Sequence, residues 1–249
     1  MPGPQDIWQE AVSETVQREI VMKIKKEEQQ MNIAIDGPAG AGKSTIAKTL
    51  AKKLGYIYVD TGAMYRAMAL YFLEQGISPE NEPAIMDAAD RADISICYHK
   101  GQQQVILNKE DVNGKIRKEE VGNMASAISI YPAVRTKLVA LQQKLAKTAD
   151  VIMDGRDIGT CVLPDAEVKV YLTASPCTRA KRRFDELQEK GVECDLEAIQ
   201  KDIEERDYRD MHRKTSPLRQ AEDAVLIDSS ELNIDEVVEA VYNIWKKRQ

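Results

Sequence analysis

From Met31 onward, short unbroken apolar runs alternate with stretches where apolar residues recur every three or four positions. The runs lie at 32–36, 57–60 (Ile57-Tyr58-Val59-Asp60), 151–154, 168–173 and 224–228. A strand apolar on both sides is covered on both faces, so the pattern predicts an α/β fold, a parallel sheet wrapped by helices. Several of these strands end in an acidic residue or a glycine turn, at the carboxyl edge where such sheets place ligands. One region departs from the rule. Ile94-Ser95-Ile96-Cys97-Tyr98, a polar turn at 99–102 and Gln104-Val105-Ile106-Leu107-Asn108 predict a β-hairpin within an accessory domain spanning roughly 63–135. A charge-dense helical hairpin is expected near 176–194, and Ile234, Val237, Val238, Val241 and Trp245 predict a closing amphipathic helix. Trp8, Val12, Val16, Ile20 and Ile24 recur every four positions and predict a helix in residues 1–30. That helix reads either as a partner-binding or self-association element or as an extension ahead of a start at Met31, which directly precedes the first strand.

Composition narrows the chemistry. A chain of 249 residues suffices for one α/β domain with insertions, and its net charge of −6 argues against a nucleic-acid polymer as partner. Any arginines that grip phosphate must then be concentrated locally. Cys97, Cys161, Cys177 and Cys194 form no C-x-x-C pair, and His99 and His212 are the only histidines. That argues against a zinc or thiol-redox centre and fits idle thiols in a reducing cytoplasm. No apolar run reaches the ~18 residues of a membrane span and no signal-peptide pattern exists, so a cytoplasmic protein without a membrane partner is expected.

The sharpest motif is Gly37-Pro38-Ala39-Gly40-Ala41-Gly42-Lys43-Ser44, a complete G-x-x-x-x-G-K-[ST] loop between the first strand and a helical stretch. Polyphosphate must be wrapped by backbone N–H groups, and glycines allow the close approach and positive φ this needs. The helix N-terminus adds partial positive charge, Lys43 reaches the β/γ-phosphates, and the Ser44 hydroxyl can hold Mg²⁺. The motif predicts binding of a nucleoside triphosphate.

Four further clusters are weaker when taken singly. Thr61 at a helix start with Arg66 one turn on suits a second phosphate, or is an ordinary cap with a solvated arginine. Met153-Asp154-Gly155-Arg156-Asp157 delivers charge to the sheet edge, where an aspartate near Lys43 could hold the Mg²⁺ shell through water and Arg156 could clamp the moving phosphoryl group. Arg206, Arg209 and Arg213 share a predicted helix face with Asp210, but the same spacing serves the i,i+4 pairs of a solvated helix. The run Arg179, Lys181, Arg182, Arg183 faces the same choice.

Together these motifs resemble the bacterial cytidylate kinases of the nucleoside monophosphate kinase superfamily. The matching stretches are Asp36–Thr45, Asp60–Arg66, Ile116-Arg117 through Ala125-Ser126, Val134-Arg135, Asp154–Thr160 and Glu205-Arg206-Asp207, within a resemblance covering about 31–248. The Asp-Gly-Arg-Asp turn combined with the hairpin insert is more specific to this family than the phosphate loop. The resemblance implies a P-loop NTPase fold with a five-stranded parallel sheet. Its CORE would comprise 31–62, 136–175 and 195–249, with a nucleoside-monophosphate-binding domain over 63–135 and a helical lid over 176–194.

It further implies transfer of the γ-phosphate of ATP to CMP or dCMP, with Mg²⁺, by a monomer. By resemblance, Gly37, Pro38, Ala39, Gly40, Ala41, Gly42, Lys43, Ser44, Thr45 and Arg182 would bind ATP, with Ser44 on the metal. Ser126, Arg135 and Asp157 would read the cytosine, and Arg206 and Asp210 would hold the sugar. Thr61, Arg66, Arg156 and Arg213 would grip the monophosphate, with Tyr65 and Arg117 lining the site. Lys43, Arg156 and Arg206 would carry catalysis. Position 61 is Thr where relatives often carry Ser, which preserves the hydroxyl. The remaining alternatives are another small-molecule P-loop kinase, of the UMP/AMP or shikimate type, and a P-loop switch that recruits a partner through residues 1–30.

Overall fold

The structure, a computed structural model, describes residues 30–99 and 102–249; the apolar stripe from Trp8 to Ile24 lies outside the described residues. In chain order the strands are β1 (Asn32–Asp36), β2 (Ile57–Asp60), β3 (Ile94–His99), β4 (Gln102–Leu107), β5 (Glu110–Asp111), β6 (Val151–Gly155), β7 (Val168–Thr173) and β8 (Val225–Asp228). The helices are α1 (Lys43–Leu54), α2 (Thr61–Glu74), α3 (Glu82–Ala89), α4 (Glu119–Ile128), α5 (Pro132–Ala146), α6 (Pro176–Glu189), α7 (Leu196–His212) and α8 (Ile234–Lys246). A π-helical turn spans Ile158–Val162.

The five expected strands form one parallel sheet in the order β2-β6-β1-β7-β8. Its two faces explain the unbroken apolar runs. Ile33, Ile35 and Ile152 pack with Ile46, Leu50, Val237, Val238 and Val241 of α1 and α8. Ala34, Val59 and Met153 pack with Met64, Ala67 and Met68 of α2 and with residues of the segment between β2 and β6. The register pairs Ile35 with Asp154, Asp36 with Gly155, and Asp60 with Asp154. The acidic ends of β1, β2 and β6 therefore meet at one edge, where the helices begin.

The expected hairpin is β3–β4, paired antiparallel from Ile94↔Leu107 to His99↔Gln102, with the two-residue β5 added beside it. Side chains tie it to the edge of the main sheet. Gln103 Nε2 donates to Asp60 O at 3.2 Å while its Oε1 accepts the Asp60 N–H at 2.8 Å, and Tyr98 Oη donates to Tyr58 O at 3.1 Å.

Segment 176–194 holds one helix rather than a helical hairpin. α6 runs unbroken to Glu189, the chain turns at Gly191 (φ +69°), and the antiparallel arm is α7, started by the Asp195 cap. Charge periodicity alone does not show which helix supplies the second arm. Among the described residues no helix is long and apolar enough to cross a membrane, and no group of three or more His, Cys, Asp or Glu could hold a metal ion. All four cysteines are free.

Candidate active site

A cleft of about 280 Å³ opens at the carboxyl edge of the parallel sheet. One wall is formed by Ala39, Gly40, Lys43 and Ser44 of the loop that runs from Gly37 to Ser44. Gly37 has φ +148°, and a Cβ there would stand 1.9 Å from Leu172 O, so only glycine lets the loop leave β1 against β7. Gly42, at φ +87°, caps α1, and the helix then presents Lys43 and Ser44. Lys43 is buried and its Nζ donates to Pro38 O at 2.7 Å. Burial, and next the Arg156 charge, pull its pKa down to about 7, against the opposing pull of Asp154, Asp36 and Asp210.

Asp154, at the end of β6, is the hub of this wall. Ser44 Oγ donates to its Oδ2 and Tyr58 Oη to its Oδ1, both at 2.8 Å, and Thr61 Oγ1 donates to its backbone carbonyl at 2.7 Å. Burial, with Asp60 next, pushes the Asp154 carboxyl upward, and burial beside these carboxylates holds the Tyr58 phenol far above its ordinary range. Asp36 works from the opposite sheet face. It accepts the N–H groups of Ile158 at 2.8 Å and Gly159 at 2.7 Å, anchoring the π-helical turn that follows Asp157. Burial raises its pKa to about 6 despite those two donors.

The facing wall is built from long side chains. Arg156 Nε donates to Asp210 Oδ2 at 2.8 Å. Burial works to raise the Asp210 carboxyl, but Arg156, Arg206 and Arg213 outweigh it and hold it below the usual range. Asp157 is gripped by Arg135 Nη2 on one oxygen and lies 3.5 Å from Arg213 Nη2 on the other. Arg135 Nη1 also donates to Tyr65 Oη at 3.2 Å, and Arg213 to Ser216 O at 2.7 Å and Ser129 Oγ at 3.3 Å. Arg66 donates to Ile116 O at 3.2 Å, and Arg117 to Asp60 Oδ2 at 3.3 Å. Arg206 Nε is buried without a hydrogen-bond partner among the described residues. Crowded cations with unused donors suit a polyanionic ligand.

Thr61, Tyr65, Arg66, Arg117, Ser126, Arg135, Arg156, Asp157, Arg206, Asp210 and Arg213 all line this cleft, with Ala39, Gly40, Lys43 and Ser44 of the loop. Gly37, Pro38, Ala41, Gly42 and Thr45 do not line it. Arg182 does not either, and donates to Ser229 O at 2.6 Å and Ser229 Oγ at 3.3 Å. The cap of α2 is the Asp60 side chain, which accepts the Ala63 N–H, rather than Thr61. The shared face expected for Arg206, Arg209 and Arg213 is not formed. Arg209 is exposed beside Asn123 and Tyr208, and Arg213 lies just past the end of α7, where extended backbone turns it back into the cleft.

The charge run of α6 divides in the same way. Lys181 and Arg183 make exposed pairs with Asp185 and Glu186. Arg179 is 2 % exposed and donates to Ala39 O at 2.9 Å, Ala174 O at 2.8 Å and Asp207 Oδ2 at 2.5 Å. It braces the phosphate loop from behind, a role its place in a charge run does not reveal. Asp36 carried a weak signal, as an acidic residue closing a buried strand. Gly122 of α4 carried none; a Cβ there would approach Arg66 Nη1 to 2.8 Å, so the glycine leaves room for the guanidinium.

The family model for cytidylate kinase matches residues 33–247. A cytidylate kinase of Caldicellulosiruptor saccharolyticus is 55 % identical over 218 residues, covering 88 % of this chain and 96 % of that one. That of Lactobacillus gasseri is 51 % identical over 219 residues (88 % and 95 %), and that of Lactobacillus johnsonii 50 % over 228 (92 % and 99 %).

Proposed function

This chain belongs to the cytidylate kinase family, and from that premise we propose that it transfers the γ-phosphoryl group of ATP to CMP or dCMP, giving ADP and CDP or dCDP. The observation that carries the reading is the convergence of Lys43, Arg66, Arg156, Arg206 and Arg213 on one cleft of a chain whose net charge is −6. Two anionic nucleotides repel each other, and concentrated cations offset that repulsion while spreading charge is neutralised in the transition state.

The loop from Gly37 to Thr45 binds the ATP phosphates and Lys43 reaches the transferred group. Arg66, Arg156 and Arg213 grip the acceptor phosphate and align its oxygen with the γ-phosphorus. Thr61 joins them by exchanging its bond to Asp154 O for a phosphate oxygen. Arg206 and Asp210 hold the sugar, and Arg182 serves the ATP side. No protein nucleophile is required. The Ser44 hydroxyl donates its hydrogen bond to Asp154 and leaves its lone pairs free, and two hard oxygen donors side by side suit Mg²⁺. Ser44 would hold that ion directly and Asp154 through water; when bound with ATP it supplies neutralising charge at the phosphate oxygens.

Asp157, Arg135 and Ser126 read the base. A carboxylate already held by two guanidiniums offers an acceptor to the cytosine amino group, and a base lacking that group leaves buried polar atoms unpaired. Segments 63–135 and 176–194 close over the substrates as acceptor domain and lid, keeping water from the γ-phosphate. The protein acts as a monomer in the cytoplasm. The test is a panel of CMP, dCMP, UMP, AMP, GMP and shikimate with ADP as readout. CMP and dCMP should give the highest kcat/KM, with UMP lower by about tenfold or more. A higher value for AMP, UMP or shikimate would overturn the assignment.

A further inference from the structure

We propose that Tyr58 is a positioning residue for the metal-facing carboxylate, locking Asp154 so that its second oxygen stays committed to Ser44. This rests on the kinase reading and goes beyond the roles that reading assigns. The two oxygens of Asp154 each accept one hydroxyl at 2.8 Å, Tyr58 Oη on Oδ1 and Ser44 Oγ on Oδ2. A carboxylate held at one oxygen can still turn about its Cβ–Cγ bond. Held at both, it cannot turn without breaking a charge-assisted hydrogen bond in a buried setting.

The consequence falls on Ser44. Its proton is directed to Oδ2, which orients the lone pairs with which it would meet a cation. Partners of this kind orient metal-binding groups and commonly govern metal affinity.

Tyr58 is itself held in place. It stands on β2 opposite Ile152 of β6, two residues before Asp60, which pairs with Asp154, so its side chain shares the sheet face of the Asp154 carboxylate. Its carbonyl accepts a hydrogen bond from Tyr98 Oη of the hairpin, and the two hydrogen bonds between Gln103 and the Asp60 backbone clamp the strand two residues on. The inserted β3–β4 hairpin thus sets the position of β2, and β2 sets the carboxylate. On packing grounds alone the ring would need no hydroxyl, because it lies among the partly buried hydrophobic residues flanking the α1 face.

The variant Tyr58→Phe keeps that ring and removes only the hydroxyl. Mn²⁺ would be titrated into wild type and Y58F at saturating ADP, with free Mn²⁺ read by electron paramagnetic resonance, and ADP binding without metal measured in chelator. Y58F should bind Mn²⁺ about tenfold more weakly while metal-free ADP binds as in wild type. In turnover, the Mg²⁺ concentration giving half-maximal rate should rise by a similar factor with the KM for CMP unchanged. Wild-type Mn²⁺ affinity in Y58F would overturn the proposal, as would equal weakening of metal-free ADP. The metal titration does not depend on the phosphoryl acceptor, so failure of the acceptor panel is distinguishable from failure here.

Discussion

The two walls of the cleft are built on different principles. The wall that carries the glycine loop is shaped by backbone: a loop of eight consecutive residues whose glycines permit a shape that no other residue could take. The facing wall is side chain: arginines and aspartates from α2, α5, α7 and the turn after β6, brought together from positions as far apart as 66 and 213. A backbone site is disturbed by added volume. A side-chain site is disturbed by lost charge. The difference predicts which substitutions damage folding and which damage only chemistry.

The largest effect belongs to Lys43, where the walls meet. Lys43→Met should lower kcat by about 10²–10³ or more, because a positioned cation is lost from the transition state. Circular dichroism and the urea midpoint should stay near wild type, since methionine fills a similar volume and the buried charge is removed. Near-wild-type turnover would take the lysine out of the mechanism.

Next comes a contrast between two glycines. Gly37→Ala sets a methyl against the backbone of Leu172 at a φ that alanine avoids, and should destabilise by about 3 kcal/mol in urea unfolding. Gly122→Ala meets only the movable end of Arg66 and should cost under about 1 kcal/mol, its effect appearing as a higher KM for CMP. Equal losses of stability would erase the distinction between the walls.

Smaller than the Gly37 effect is a pH dependence from the support behind the facing wall. Asp36 titrates near 6 when folded against an ordinary value of 3.8. A carboxyl whose folded pKa is raised contributes stability that is present below the unfolded pKa and lost as pH rises through the folded one. Relative to Asp36→Asn, wild type should therefore lose about 2 kcal/mol between pH 4 and pH 6. A flat difference across that window would mean that the two N–H groups of Ile158 and Gly159 already compensate the buried charge.

The residues of α6 show where sequence reading stops. Arg179, Lys181 and Arg183 lie in one charge run, yet Arg179 braces the phosphate loop and the other two pair in solvent. A run of like charges on a helix does not say which member faces a neighbour, because that depends on where α7 and the loop pack. Tyr58 was similarly hidden, since an aromatic residue in a buried strand reads as packing until its hydroxyl is seen on Asp154. Arg209 lies inside α7 yet turns to solvent beside Asn123, whereas Arg213, past the helix end at His212, reaches the cleft from extended backbone.

Local rules decided what the chain could determine by itself. Steric demand ties glycine to the phosphate loop, continuous apolarity marks doubly covered strands, and two short apolar runs about a polar turn mark the hairpin. Each depends only on neighbours within a few positions. Tertiary structure decided which charges are partners: the pairing of Arg156 with Asp210, of Arg135 with Asp157, and of Tyr58 and Ser44 with the two oxygens of Asp154. Those contacts span up to 110 residues, and their energies arise from burial that no local pattern contains.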